Sequence, residues 1–143
     1  MPHRLKVADI MSRNVVTLTV DDTLADARDT MTRGNIHHLP VVREGRLVGL
    51  VTHHDLLSAS VSVFAEVPAR EERQLFARIP VQELMHDAVT VTADTPIRDA
   101  GAILLDTAFG CLPVVDREGH LLGIVTETDY LRLAVRMLDA IQA

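Results

Sequence analysis

The chain has 143 residues, a formal net charge of −6 and 48% hydrophobic residues. Its acidic balance disfavours nucleic-acid and membrane-surface partners, because both attract basic surfaces, and no apolar run reaches the roughly 18 residues of a membrane span. A single cysteine, Cys111, excludes an intrachain disulfide and a cysteine-based zinc site and predicts a reducing, cytoplasmic location.

The N-terminal part of the chain predicts a strand, a helix, two strands and a second helix. The segment "VVTLTV" alternates apolar and polar residues, as a half-buried strand does. Asp22 then predicts the N-cap of an amphipathic helix that ends near Gly34. "LPVV" at Leu39 and "RLVGLVT", which ends at Thr52, are predicted strands on either side of a turn, and a helix follows Thr52.

The same order of elements returns in residues 81–143, after a first copy at 1–62 and a predicted linker at 63–80. The linker includes the charged stretch "PAREER", which predicts an exposed segment or a short helix. In the second copy Thr95 is the predicted N-cap, and Pro96 fits the first helical turn. "LPVV" and "HLLGIVT" are again predicted strands, and a last helix follows them.

An internal repeat explains this recurrence. Thr52 and Thr126 lie 74 residues apart, as do Asp55 and Asp129, and "ADIM" before the first copy corresponds to "QELM" before the second. Order and spacing that hold along the whole chain indicate a duplication. We therefore predict an α/β fold, more closely α+β, that contains two β-α-β-β-α motifs.

Each copy carries a Thr-x-x-Asp pattern where a strand meets a helix: "GLVTHHD" ends at Asp55 and "GIVTETD" at Asp129. This pattern is typical of a capping box, in which both side chains only start a helix. The same residues can also bind a ligand, since a helix N-terminus stabilises phosphate and an ionised carboxylate accepts hydrogen bonds from paired ribose hydroxyls. Gly49 and Gly123, in mid-strand, leave space for a ligand or a neighbouring backbone.

The residues that follow the threonine differ between the copies. His53 and His54 follow Thr52, whereas Glu127 follows Thr126. A carboxylate repels phosphate, while histidine can donate a hydrogen bond to it. These residues alone therefore favour the first copy as the phosphate site.

Two β-α-β-β-α units that each contain "LPVV" and the pattern Gly-h-x-Thr-x-x-Asp (h, hydrophobic) resemble a tandem pair of CBS domains, a Bateman module. The resemblance covers about Val7 to Leu138. It implies a pair packed about a pseudo-two-fold axis, with clefts for adenosine-containing ligands such as AMP, ADP, ATP or S-adenosylmethionine. In that family the Asp takes the ribose hydroxyls and the Thr lies by the phosphates. The resemblance thus implies a regulatory module that signals to a partner protein and is not an enzyme.

The resemblance also implies that each cleft combines residues of both copies. In each cleft, the Thr and Asp of one copy would face two parts of the other copy: its first strand and the residues just before its "LPVV" strand. The first cleft would contain Thr17, Ile36, His37, His38, Thr126 and Asp129. The second would contain Thr90, Phe109, Gly110, Cys111, Thr52 and Asp55.

Two other functions fit parts of the sequence. A structural dimerisation module with vacant clefts fits the capping-box interpretation. A His-dependent metal sensor would use His37, His38, His53 and His54, although adjacent residues on a strand point to opposite faces, so that such a pair offers one ligand. Catalysis is not expected, because no nucleophile-elbow glycines surround the serines and no paired carboxylates stand out.

The last helix predicts a homodimer. "DYLRLAVRMLDAI" carries Leu131, Ala134, Leu138 and Ile141 on one stripe. So broad an apolar face exceeds what one small core needs. CBS pairs commonly assemble as dimers through such helices, so the resemblance implies the same assembly.

Overall fold

This computed structural model describes residues 4–64 and 68–142, with the side chains of 61–64 excepted. The chain divides into two compact units. The elements follow the chain in the order α1 (Val7–Ile10), β1 (Leu18–Thr19), α2 (Leu24–Gly34), β2 (His38–Arg43), β3 (Arg46–Thr52), α3 (His53–Phe64), α4 (Ala69–Phe76), a 3₁₀ turn (Val81–Glu83), α5 (Ile97–Asp106), β4 (Cys111–Val115), β5 (Leu121–Thr126) and α6 (Glu127–Gln142). None of these helices is long and apolar enough to cross a membrane. The central unit comprises Val16–Asp87, and the terminal unit comprises Met1–Val15 with Ala88–Ala143.

The central unit is built on a three-stranded sheet in the order β1-β2-β3. β1 pairs with β2 in parallel, and β2 pairs with β3 as an antiparallel hairpin. The apolar stripe of α2, formed by Leu24, Ala27 and Met31, packs into the core against these strands. The sheet places Thr52, the last residue of β3, directly before the first turn of α3.

The terminal unit contains the antiparallel pair β4 and β5. Val91 forms a single parallel bridge with Val114. This bridge takes the place that the strand β1 has in the central unit. The core combines Val7 of α1 with Leu104 of α5 and the buried strand residues. β5 ends at Thr126, where α6 begins, so the strand-to-helix junction of the central unit is repeated.

The first strand of each copy is shorter than predicted, and a turn follows it at once. In copy one the main-chain N–H of Thr19 donates to Oδ2 of Asp22 over 2.8 Å. In copy two the N–H of Thr92 donates to Oγ1 of Thr95 over 3.1 Å. Asp22 and Thr95, which the sequence predicted as N-caps, therefore stabilise turns instead.

The N-caps themselves lie one residue later than predicted. Thr23 caps α2, with its Oγ1 accepting the N–H of Asp26 over 3.2 Å. Pro96 stands at the N-cap of α5 and makes no side-chain capping bond. The predicted positions were wrong by one residue in both copies, because the side chains there are already engaged in the preceding turn.

Each unit also contains a short segment from the sequence that precedes the other copy. In the central unit His86 forms an antiparallel bridge with Leu50 of β3. In the terminal unit Ser12 forms the same bridge with Ile124 of β5. The two bridges extend the hairpins at equivalent points of the repeat, since both members of each pair are 74 residues from their counterparts.

Two mid-strand glycines make room for these segments. A Cβ on Gly49 would lie 2.6 Å from Sδ of Met85, and a Cβ on Gly123 would lie 2.7 Å from the main-chain O of Ser12. Both distances are shorter than non-bonded contacts allow. The close approach predicted at these glycines is therefore made by the protein chain itself.

Helix α4 lies in the stretch 63–80 that the sequence predicted as a linker or short helix, of which 65–67 lie outside the described residues. Phe76 at its end is fully buried. The guanidinium of Arg28 lies 4.5 Å from the centroid of the Phe76 ring and donates to Oε1 of Glu72 over 2.7 Å. These contacts join α4 to α2.

Candidate functional site

The candidate site of the central unit is centred on the Asp55 carboxylate, in the first turn of α3. Its Oδ2 accepts the main-chain N–H of Thr52 over 2.8 Å, and the N–H of Asp55 donates to Oγ1 of Thr52 over 3.2 Å. These reciprocal bonds form a complete capping box. Thr52 is buried, so the carboxylate is held in one orientation at the helix N-terminus.

Asp129 occupies the equivalent place in α6 of the terminal unit. Its Oδ2 accepts the main-chain N–H of Thr126 over 2.8 Å and lies 3.4 Å from the hydroxyl of the same threonine. Its Oδ1 lies 4.0 Å from Nη1 of Arg132, whose side chain is 73% exposed, so solvent screens this pair. A nearly buried carboxylate with such a loose cationic contact retains acceptor capacity for a ligand.

His86 is the main difference between the two sites. In the central unit its Nε2 lies 2.9 Å from Oδ2 of Asp55, and its Nδ1 lies 3.0 Å from the main-chain O of Asp87. Both partners are acceptors, so a protonated imidazole donates to both and a neutral one donates to one of them. The Asp55 carboxylate thus has a side-chain donor from within its own unit.

A cleft of about 660 Å³ lies beside Asp129 in the terminal unit. It is lined by the N-terminal segment and one face of α6: Asp9, Ile10, Met11, Ser12, Asp129, Leu131, Arg132, Val135 and Arg136. The two guanidinium groups and the N-terminus of α6 favour an anion. The two carboxylates, of Asp9 and Asp129, favour hydrogen-bond donors, so the cleft suits a ligand that carries both an anionic group and hydroxyl donors.

Two titratable groups of the terminal unit are held in their neutral forms. The pKa of Tyr130 is raised mainly by burial and further by the neighbouring Asp129 charge. The Tyr130 hydroxyl donates to the main-chain O of Ile97 over 2.6 Å. Burial raises the pKa of the Cys111 thiol to about 12. Cys111 is 1% exposed. Its thiol is therefore not available to a ligand at the surface, and only its main-chain atoms would contact one.

Each unit contains one copy's share of the predicted site residues. The central unit holds Thr17, Ile36, His37, His38, Thr52 and Asp55. The terminal unit holds Thr90, Phe109, Gly110, Cys111, Thr126 and Asp129. Strand pairing sets His38 opposite Thr52 and Cys111 opposite Thr126, within the same copy. The combination of residues from both copies in one cleft stays a prediction.

Two predicted residues of the central unit line a smaller cleft of about 280 Å³. Ile36 and His37 lie there beside His53, and the ring centroids of the two histidines are 5.4 Å apart. The main-chain N–H of His53 donates to the O of His37 over 2.9 Å. The start of α3 and the residues before β2 are therefore in direct contact.

Among the described residues, three potential metal ligands lie close together between β4 and β5: Asp116, Glu118 and His120. This cluster contains none of the four histidines of the metal-sensor hypothesis. The N–H groups of Glu118 and His120 both donate to Oδ1 of Asp116 over 2.9 Å. These bonds, that of His120 foremost, lower the pKa of Asp116. The cluster is explained as a stabilised turn.

Sequence reasoning missed Ser12 and His86, the side chains placed at equivalent points of the two units. Each directly follows the methionine of "ADIM" or "QELM", and the two residues share the 74-residue spacing of the threonines and aspartates. That spacing is the signal that could have identified them. Their contact with the other hairpin depends on tertiary structure.

A family model of the CBS domain matches residues 7–62 and again 81–136. A CBS domain-containing protein of Dictyostelium discoideum is 31% identical over 140 residues, which cover 96% of this chain and 97% of that protein. Some relatives are longer. The chain covers 43% of an uncharacterized protein of Methanocaldococcus jannaschii, to which it is 30% identical.

Solved structures show the same architecture along nearly the whole chain. CBSX2 from Arabidopsis thaliana superposes with a TM-score of 0.83 at 28% identity, covering 96% of this chain and 99% of that one. CBSX2 in complex with AMP gives 0.77 at 30% identity, covering 92% and 97%. The CBS domain pair of protein MJ0100, in complex with 5′-methylthioadenosine and S-adenosyl-L-methionine, gives 0.79 at 26% identity, covering 94% and 99%.

Proposed function

The chain belongs to the CBS-domain family, and we propose that it is a regulatory module that binds adenosine-containing ligands. Its motifs, 1–62 and 81–143 with the segment 63–80 between them, repeat one arrangement of a carboxylate. The observation that carries the proposal is the pair Asp55 and Asp129, each held 2.8 Å from a threonine N–H in the first turn of a helix. An ionised carboxylate so fixed accepts the paired hydroxyls of a ribose.

Adenosine is the group common to AMP, 5′-methylthioadenosine and S-adenosylmethionine, the ligands of the related complexes. 5′-Methylthioadenosine carries no phosphate, so recognition of the nucleoside is the shared requirement. The fixed carboxylates would accept the ribose hydroxyls of that nucleoside. For AMP, ADP or ATP, the helix N-termini would in addition stabilise the phosphates, with Arg132 and Arg136 nearby in the terminal unit.

Ligand binding would act on a partner protein by shifting the population between two conformations of the module. Only a ligand that binds one conformation more tightly can do this. A purely structural module with vacant clefts is the alternative, and it predicts no binding of adenosine compounds at all.

Titration calorimetry of the full chain with AMP, ATP and S-adenosylmethionine tests the proposal, with 2′-deoxyadenosine monophosphate, which lacks one of the paired hydroxyls, as the weaker-binding control ligand. Asp129→Asn and Asp55→Asn are nearly isosteric, keep an oxygen acceptor for the threonine N–H and lose the charge. Since a hydrogen bond to a charged group contributes about 1.5–3 kcal/mol, affinity at the altered site should fall at least about tenfold. Unchanged affinity in both variants would refute the carboxylate assignment.

We also propose that the chain forms a homodimer through α6. Leu131, Met137, Leu138 and Ile141 are between 53% and 77% exposed, and Leu105 of the neighbouring α5 is 88% exposed. Large apolar side chains that are exposed on two helices of one unit favour burial against another protein surface. A second copy presents the same surface and is self-complementary about a two-fold axis.

The dimer is tested by light scattering of Leu138→Asp at micromolar concentration. An unpaired charge in a dry interface is costly, so this variant should be monomeric while the wild type is dimeric. Ala140→Asp introduces the same charge two residues later, on the opposite side of the helix, and should leave the dimer intact. A monomeric wild type contradicts the proposal.

A further inference from the structure

The contact of His86 with Asp55 gives the two carboxylates unequal capacity for a ligand. Oδ2 of Asp55 accepts two hydrogen bonds, from the main-chain N–H of Thr52 over 2.8 Å and from Nε2 of His86 over 2.9 Å. A carboxylate oxygen has about two acceptor positions, so this oxygen is fully used. A ribose with two hydroxyls is left with one oxygen, Oδ1, and cannot bind across both oxygens of the carboxylate.

The main chain fixes the position of His86. The N–H of Leu50 donates to the O of His86 over 2.9 Å, and the N–H of His86 donates to the O of Leu50 over 3.1 Å. The ring is also held at Nδ1 by the main-chain O of Asp87. With anchors at the main chain and at both ring nitrogens, the imidazole is oriented toward the carboxylate.

The terminal unit has the same main-chain bridge and a different side chain. Ser12 and Ile124 exchange N–H···O bonds of 2.9 and 3.0 Å. The serine side chain is too short to take the place of an imidazole, and Ser12 lines the cleft that contains Asp129. Oδ2 of Asp129 has one close main-chain donor and a long 3.4 Å contact with the hydroxyl of Thr126.

We infer that His86 is an internal competitor for the Asp55 carboxylate, so that an adenosine ligand binds first at Asp129 and binds at Asp55 only when His86 is displaced. This inference rests on the proposed function and specifies how the two sites differ. His53 and His54 favour phosphate at the first copy, but the competition concerns the ribose, which every adenosine ligand carries. The residue at one position of the repeat, histidine or serine, thus sets the order of binding.

A reciprocal exchange of side chains tests the inference by titration calorimetry with AMP. His86→Ser should tighten the weaker site by about three- to tenfold, the value of one hydrogen bond, and leave the tighter site unchanged. Ser12→His should weaken the tighter site by a similar factor. Asp55→Asn and Asp129→Asn, combined with each exchange, identify which site has changed.

His86→Gln is the matched control, because its amide keeps an N–H donor near the position of Nε2, and it should bind AMP like the wild type. Circular dichroism melting confirms that each variant folds. Equal or weaker binding at the Asp55 site of His86→Ser would overturn the inference and leave the proposed function standing. A new site that appears only in His86→Ser would support the inference. Absence of binding of AMP, ATP and S-adenosylmethionine by the wild type and by every variant would refute both.

Discussion

In the central unit the main chain of His86 pairs with Leu50, and in the terminal unit the main chain of Ser12 pairs with Ile124 in the same way. Each pair lies beside an aspartate that accepts a threonine N–H over 2.8 Å. The backbone framework of the repeat is therefore common to both units. It is built from main-chain hydrogen bonds, which depend little on side-chain identity, and from two glycines at positions where a Cβ would not fit.

The side chains around this framework differ in three ways. Asp55 has a histidine donor where Asp129 has a serine in the corresponding segment. The capping box is complete at Thr52 and one-sided at Thr126. A half-buried histidine begins β2, whereas a buried cysteine begins β4. A duplicated fold can therefore keep two sites at equivalent positions while the side chains around them differ.

The largest expected difference concerns Cys111. Because burial raises its pKa to about 12, the thiolate fraction at pH 8 is lowered about a thousandfold, and alkylation by iodoacetamide should slow correspondingly. The matched probe in the central unit is His38→Cys in a Cys111→Ser background, which should react faster because position 38 is half-buried. Mass spectrometry of timed samples measures both rates, and fast labelling of native Cys111 would show that the terminal unit opens readily.

The same thiol gives a pH dependence. Unfolding restores an ordinary thiol pKa near 8.5, so above that pH the unfolded chain binds fewer protons than the folded one. The free energy of unfolding should therefore decrease as pH rises from about 9 towards 12. Cys111→Ser should lack this component, as urea unfolding at several pH values would reveal.

Substitution of the two mid-strand glycines tests whether an added Cβ destabilises the two units equally. Gly123→Ala places a Cβ 2.7 Å from the main-chain O of Ser12, and Gly49→Ala places one 2.6 Å from Sδ and 3.0 Å from Cβ of the Met85 side chain. Because a flexible side chain can move and a main-chain oxygen in a bridge cannot, Gly123→Ala should cost more. We expect about 1–3 kcal/mol for Gly123→Ala and less for Gly49→Ala, measured by urea unfolding. The reverse order would contradict the structure.

The smallest expected difference lies in the capping threonines. Thr52→Ala removes the acceptor of the Asp55 N–H and should lower the free energy of unfolding by about 0.5–2 kcal/mol. Thr126→Ala removes a long 3.4 Å contact and should cost less. Thermal melts without ligand measure both. Equal losses would mean that the two caps are energetically alike despite their geometry.

Much of the fold could be predicted from the repeat. Apolar periodicity predicted the amphipathic helix that ends near Gly34, whose buried stripe in the structure is Leu24, Ala27 and Met31. It also predicted the two "LPVV" strands. The CBS family followed from motifs that occur twice. Cap positions were wrong by one residue, because Asp22 and Thr95 form local turns that compete with capping, and a sequence pattern does not distinguish the two.

Asp55 and Asp129 could be placed in the first turns of two equivalent helices from the sequence alone, since Thr-x-x-Asp after a strand is a local signal. The groups that face those carboxylates depend on the tertiary structure. Segments more than thirty residues away in the chain, ending in Ser12 and His86, pair with the hairpins at Ile124 and Leu50. Local propensity carries no information about such long-range pairing. The hydrogen bonds of the bridges, and the space beside the two mid-strand glycines, exist only once the hairpins have formed.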